Sequence, residues 1–136
     1  MNDRSSRLLT ARPQLKTTQI NDMMGSDERF QNETLRPILK MQNNLFLAVF
    51  KNYILKHKSV FYQLSLEKRL VYIENSIQKD IKFRNSLKGM VIGLFTVEEY
   101  SVYIKNSSAL NKRMMNMLIK RLQDQVQLLE KKQLVY

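Results

Sequence analysis

An all-α fold is predicted by three observations. Apolar residues recur at three- and four-residue steps through most of the chain. No stretch alternates apolar and polar residues in the period-two manner of a strand. Only three glycines and two prolines punctuate 136 residues, so long uninterrupted elements are expected. The architecture that follows is an antiparallel helical bundle of three long helices plus one short helix, a single domain over residues 26–132. A flexible basic N-terminal arm, residues 1–25, precedes it, and a short tail, residues 133–136, follows.

The arm is inferred from Pro13, Gly25 and many polar residues mixed with scattered Leu8, Leu9, Leu15 and Ile20, without sustained periodicity. Helix A begins at Ser26-Asp27-Glu28, a cap residue followed by first-turn acids, and runs to about Lys58. Its stripe is Phe30, Leu35, Ile38, Met41, Leu45, Val49 and Tyr53, and Pro37 predicts a kink or a restart within it. Around Phe46, Leu47, Phe50 and Ile54 the apolar face widens, which predicts contact with two neighbours.

Ser59 to Leu64 reads as a connector, and Ser65 as the cap of a helix B that continues to about Leu94. Its seam is Leu66, Leu70, Ile73, Ile77, Leu87, Val91 and Leu94, with Asp80 and Arg84 filling two heptad-like positions. Thr96-Val-Glu-Glu99 has the form of a capping box and opens a short helix C, with Glu98 and Glu99 in its first turn. After Asn106-Ser107-Ser108, helix D carries Leu110, Met114, Leu118, Leu122, Val126 and Leu129, and Lys131-Lys132 complement its C-terminal dipole. Met114, Met115 and Met117 read as adaptable core filler.

The formal net charge is +11 and is spread along the chain, from +2 over residues 1–26 to +4 over 108–136, with only 96–107 negative. A basic surface of this kind favours nucleic acid, anionic lipid or an acidic protein. The absence of cysteine removes zinc ribbons, iron–sulfur clusters and thiol nucleophiles, and fits a reducing compartment. The longest charge-free apolar run, residues 89–97, falls short of the roughly 18 residues a membrane span needs. Residues 1–14 have no apolar leader core, so a cytoplasmic location is expected.

Few residues carry chemistry. His57, the one histidine, lies in Lys56-His57-Lys58 at the end of helix A, where a cation complements the dipole. Neither metal nor cofactor is expected, and no phosphate-binding glycine loop or nucleophile elbow is present. Asp80 and Arg84 are expected as a semi-buried ion pair at the bundle's waist. If the helix rotates so that Ile81 takes the seam, the pair is exposed instead. Lys68, Tyr72, Asn75, Lys79 and Lys82 form a basic stripe with an aromatic and an amide, suited to phosphates and a stacked base. Gly89 and Gly93 form a Gly-x-x-x-Gly opposite the seam, which predicts close packing of another helix or a dimer contact.

Three segments, residues 28–40, 72–89 and 95–115, resemble a small family of uncharacterised bacterial all-helical proteins, some of whose members carry the label glyoxalase. The resemblance covers about residues 28–130 and contains no motif of a known activity. Enzymes of the glyoxalase I type resemble paired βαβββ modules that set His and Glu ligands around a divalent metal. One histidine and no strand pattern cannot build such a site, so no functional residue carries over. The leading expectation is a non-enzymatic interaction module that self-associates or binds an acidic protein partner. Nucleic-acid binding through the helix B stripe is the alternative, and a small-ligand binder or enzyme with a pocket near Asp80 and Arg84 is the third.

Overall fold

The computed structural model describes residues 2–14 and 25–130, and among these the regular elements are helical, with no strand. Helix α1 spans Asp3–Ala11, α2 Ser26–Phe30, α3 Arg36–Met41, α4 Asn43–Lys56, α5 Leu66–Lys79, α6 Ile81–Ile92, α7 Val97–Tyr103 and α8 Ser107–Asp124. A π-helical turn, Gln31–Leu35, joins α2 to α3, and short 3-10 turns occupy Val60–Gln63 and Val126–Leu129. The predicted class is therefore met, but the division into three long helices and one short one is not: helices A and B are each broken. Leu15, Ile20, Lys131, Lys132 and the tail lie outside the described residues.

Each break has a local cause. Pro37 has no N–H to offer the carbonyl of Glu33, and in a regular helix its ring would strike that carbonyl. The π turn widens the helix just before it, with the Arg36 N–H reaching back five residues to the Gln31 carbonyl. Pro37 then sits buried in the first turn of α3. At Gln42 (φ −89°, ψ 3°) the chain bends again, although Gln42 N–H to Ile38 O and Phe46 N–H to Gln42 O, both 2.9 Å, carry the ladder across. The bend shifts the buried face. Phe46, Phe50 and Ile54 are buried, while Leu45, assigned to the stripe by spacing, is 48% exposed.

Helix B ends early because Asp80 (φ −83°, ψ 97°) leaves helical geometry and caps α6, accepting the Phe83 N–H at 3.2 Å. Ile73 and Ile77 before the break and Leu87 and Val91 after it all reach the core. Helix α8 supplies six buried residues, Leu110, Met114, Met115, Leu118, Ile119 and Leu122, and packs on α5, α6 and the π turn. The Ser65 cap and the Thr96–Glu99 capping box form as predicted.

The N-terminal segment departs most from expectation. Residues 3–11, expected as a flexible arm, form α1, capped by Asn2, whose side chain accepts the Ser5 N–H at 2.7 Å. It docks by polar contacts. Arg4 donates to the carbonyls of Phe95 (2.8 Å) and Gly93 (2.7 Å), and Arg12 to that of Leu94 (3.0 Å). These carbonyls belong to the short link that follows α6, beside its C-terminus, where the dipole favours cations.

Candidate functional site

Where α4 ends, three rings stack. Tyr53 lies 4.0 Å from the His57 ring at 25° and 4.1 Å from the Phe83 ring at 26°. Two near-parallel neighbours at that spacing occupy opposite faces of Tyr53, so the stack terminates in His57, which is exposed. The i, i+4 step of α4 puts His57 over Tyr53, and a hydrogen bond of 2.8 Å between His57 Nδ1 and the Tyr53 carbonyl holds the imidazole at the helix end. Left-handed residues Lys58 (φ 62°) and Ser59 (φ 56°) then turn the chain, so that Phe61 enters the core beneath.

The stack forms one wall of a groove of about 490 Å³, lined by Tyr53, His57, Val60, Tyr72, Asn75, Ser76, Lys79 and Asp80. Three of the five stripe residues are therefore here: Tyr72 and Asn75 half-buried, Lys79 exposed. Lys68 and Lys82 are exposed but do not line it, and Lys82 lies beyond the Asp80 break on α6, so the stripe is not one continuous helix face. The Tyr53 hydroxyl donates to Asp80 Oδ2 at 3.0 Å. Burial, then that hydrogen bond, pushes the Tyr53 hydroxyl up to about 12, and burial also raises Tyr72. The Phe83 N–H and then the Tyr53 hydroxyl hold the Asp80 carboxyl below its usual range. Tyr53 and Tyr72 are thus neutral donors at neutral pH.

The expected Asp80–Arg84 ion pair does not form among the described residues. Asp80 directs its carboxylate to the Phe83 amide and Tyr53, and its link to Arg84 is the backbone bond from Arg84 N–H to Asp80 O, 2.8 Å. Nor does Ile81 take the seam; it is 60% exposed. Replacing the cap is expected to have a definite cost. Asp80→Ala should lose about 1 kcal/mol for the cap and about 1 kcal/mol for the hydrogen bond to Tyr53. In urea unfolding, the exposed Glu74→Ala should stay within about 0.5 kcal/mol of the parent. Equal midpoints for the two variants would show that Asp80 does not hold the α5–α6 junction.

Among the described residues the Gly-x-x-x-Gly does not serve close packing of another helix. A Cβ on Gly89 would meet nothing within 4 Å, and one on Gly93 would meet the Gly89 carbonyl at 3.0 Å, not another helix. The Gly93 carbonyl instead receives Arg4.

A second groove, of about 480 Å³, opens between the π turn, α3 and α8, lined by Gln31, Arg36, Leu39, Met117, Lys120, Arg121, Asp124 and Gln125. Arg36 Nε and Arg121 Nη1 donate only to the neutral amide oxygens of Asn32 and Asn43, each at 3.4 Å. Among the described residues neither guanidinium has an ion pair. Burial, and then the positive charge of Arg36, lowers the Arg121 pKa, with Asp124 opposing. Asn43 and Gln125 exchange two amide hydrogen bonds of 2.7 Å at one end, which ties the start of α4 to the end of α8.

Sequence reasoning missed both arginines and the partnership of Tyr53 with His57. Arg36 and Arg121 come from distant helices and share no spacing signal. The Tyr53–His57 pair, at i, i+4, was open to being read. Among the described residues no three His, Asp or Glu side chains are grouped to hold a metal, and no helix is long and apolar enough to cross a membrane. Compared with family models, curated proteins and solved structures, the chain matches none.

Proposed function

We propose that the protein is a non-enzymatic module that binds single-stranded nucleic acid at the His57–Tyr53 groove. The observation that supports this is the exposed end of the ring stack: a base placed on His57 continues the His57–Tyr53–Phe83 series, with Tyr72, Asn75 and Lys79 alongside. Residues 51–88, which contain the groove, carry nine Lys and Arg against three Asp and Glu, a surrounding that suits phosphates.

The test is fluorescence anisotropy with labelled single-stranded RNA and DNA at about 50 and about 200 mM salt. Binding that weakens with salt is expected. His57→Ala should weaken it by about 1–3 kcal/mol, the worth of one stacked base. Lys79→Ala should instead reduce the salt slope by about 0.7, one phosphate contact to a single strand. No binding by the parent protein at the lower salt would reject the reading.

Self-association, the leading expectation from the sequence, keeps one observation in its favour. Gly89 faces open space, and Val97, Tyr100 and Ile104 are exposed. A strictly monomeric mass in sedimentation would remove it.

A further inference from the structure

The arginine groove is a binding site of its own, and we propose that it holds a phosphoryl group between Arg36 and Arg121. The inference does not depend on the ring groove. Three cations, Arg36, Lys120 and Arg121, and one carboxylate, Asp124, face the groove, a net charge of +2. A phosphoryl group carries about −1.5 to −2 at neutral pH, which matches that charge; a single carboxylate leaves it half compensated.

The groups are also arranged for capture. Asp124 is engaged with Lys120 in an exposed pair at 3.5 Å, which leaves the two guanidinia as the uncompensated charges. Their contacts to Asn32 and Asn43 are long and neutral, so neither must break an ion pair to take a ligand. Like charges held together in a half-buried groove disfavour the empty state, and an oxyanion with forked hydrogen bonds reverses that cost. The Arg113 guanidinium, bonded to Gln31 Oε1 at 2.8 Å, adds positive potential beside the site and fixes the amide at its edge. Leu39 and Met117 supply an apolar floor, which strengthens the electrostatics by limiting water.

The probe is inorganic phosphate, titrated by calorimetry against the full chain at constant ionic strength, with chloride as the control. Phosphate is expected to bind and chloride not to. Arg36→Gln and Arg121→Gln should each lower the phosphate affinity at least about tenfold, the loss of one charge-assisted contact. Both variants should fold at least as stably as the parent, because each relieves the repulsion between the two positive charges. Arg121→Lys, which keeps the charge but loses the fork, should fall between. Phosphate binding no better than chloride, or equal phosphate affinity in parent and Gln variants, would overturn the site. A single-stranded oligonucleotide identifies the source of the phosphoryl group. Oligonucleotide affinity that falls in Arg36→Gln in step with phosphate affinity supports the site with a strand phosphate in it. Unchanged oligonucleotide affinity beside a lowered phosphate affinity supports it with a separate phosphorylated ligand.

Discussion

Glu99→Ala should lower the unfolding free energy by about 3–5 kcal/mol, a large part of the roughly 5–15 kcal/mol that holds a domain of this size. Glu99 Oε1 and Oε2 each accept from Arg12 at 2.6 Å, Oε1 accepts the Thr96 N–H at 2.8 Å, and Oε2 accepts the Thr34 hydroxyl at 2.8 Å. The Arg12 side chain is 6% exposed and that of Glu99 17%. Removing the carboxylate strands a buried guanidinium whose Nε already lacks a partner among the described residues. It also removes the side-chain half of the capping box and one of the ties between α1 and α7, leaving the contact of Ser5 with Glu98. Replacing both partners, as Arg12→Met with Glu99→Leu, should cost much less than either Ala variant, since no charge is left uncompensated. A parent-like urea midpoint for Glu99→Ala would refute this account of how α1 is held.

The same residue sets a pH dependence. Burial pushes the Glu99 carboxyl up, but the Arg12 hydrogen bonds, the Thr96 N–H, the Thr34 hydroxyl and the Arg12 charge outweigh it and hold the group below its ordinary range. A folded-state value below the unfolded one means that the unfolded chain binds the proton more readily. The stabilisation is full above the unfolded value, about 4.3, and is lost as pH falls through the lowered folded value. Acid unfolding should therefore lose part of its steepness in Glu99→Gln.

The helical class was legible because its cause is local. Ile73, Ile77, Leu87, Val91, Leu110, Met114, Leu118 and Leu122 carry the periodicity that buries them. The breaks at Gln42 and Asp80 were not legible, because apolar periodicity reports which residues are buried and not where the backbone leaves helical geometry. Asp80 makes the point: at a heptad position it looks like a buried charge, whereas as a cap it ends one helix and begins the next. Helix α1 was missed for a different reason. It binds through Ser5, Arg4 and Arg12, and hydrogen bonds to distant carbonyls leave no hydrophobic pattern to find. The arginine groove is hidden in the same way. The stripe on α5 was half legible, since Tyr72, Asn75 and Lys79 share a face, while its partners Tyr53 and His57 come from α4.

Phe50 connects stability to the proposed function. It is 1% exposed, and its ring lies 5.8 Å from Tyr53, 6.4 Å from Phe61, 6.3 Å from Tyr72 and 6.0 Å from Phe83. Two walls of the ring groove, Tyr53 and Tyr72, therefore rest on one core side chain. Phe50→Ala should cost about 3–5 kcal/mol, the range for a buried aromatic removed from a packed core. That loss alone would not distinguish Phe50 from other core residues, so the informative variant is Phe50→Leu. It keeps most of the volume and should remain folded, yet it removes the stacked contact to Tyr53 and the edge contact to Tyr72 that orient them. Nucleic-acid affinity per folded molecule should fall in Phe50→Leu and stay unchanged in Leu110→Ala, a truncation of a buried α8 residue that is not one of the clustered rings. Equal affinities in a folded Phe50→Leu protein would show that the ring cluster does not preorganise the groove. The stack would then be core packing that happens to reach the surface at His57.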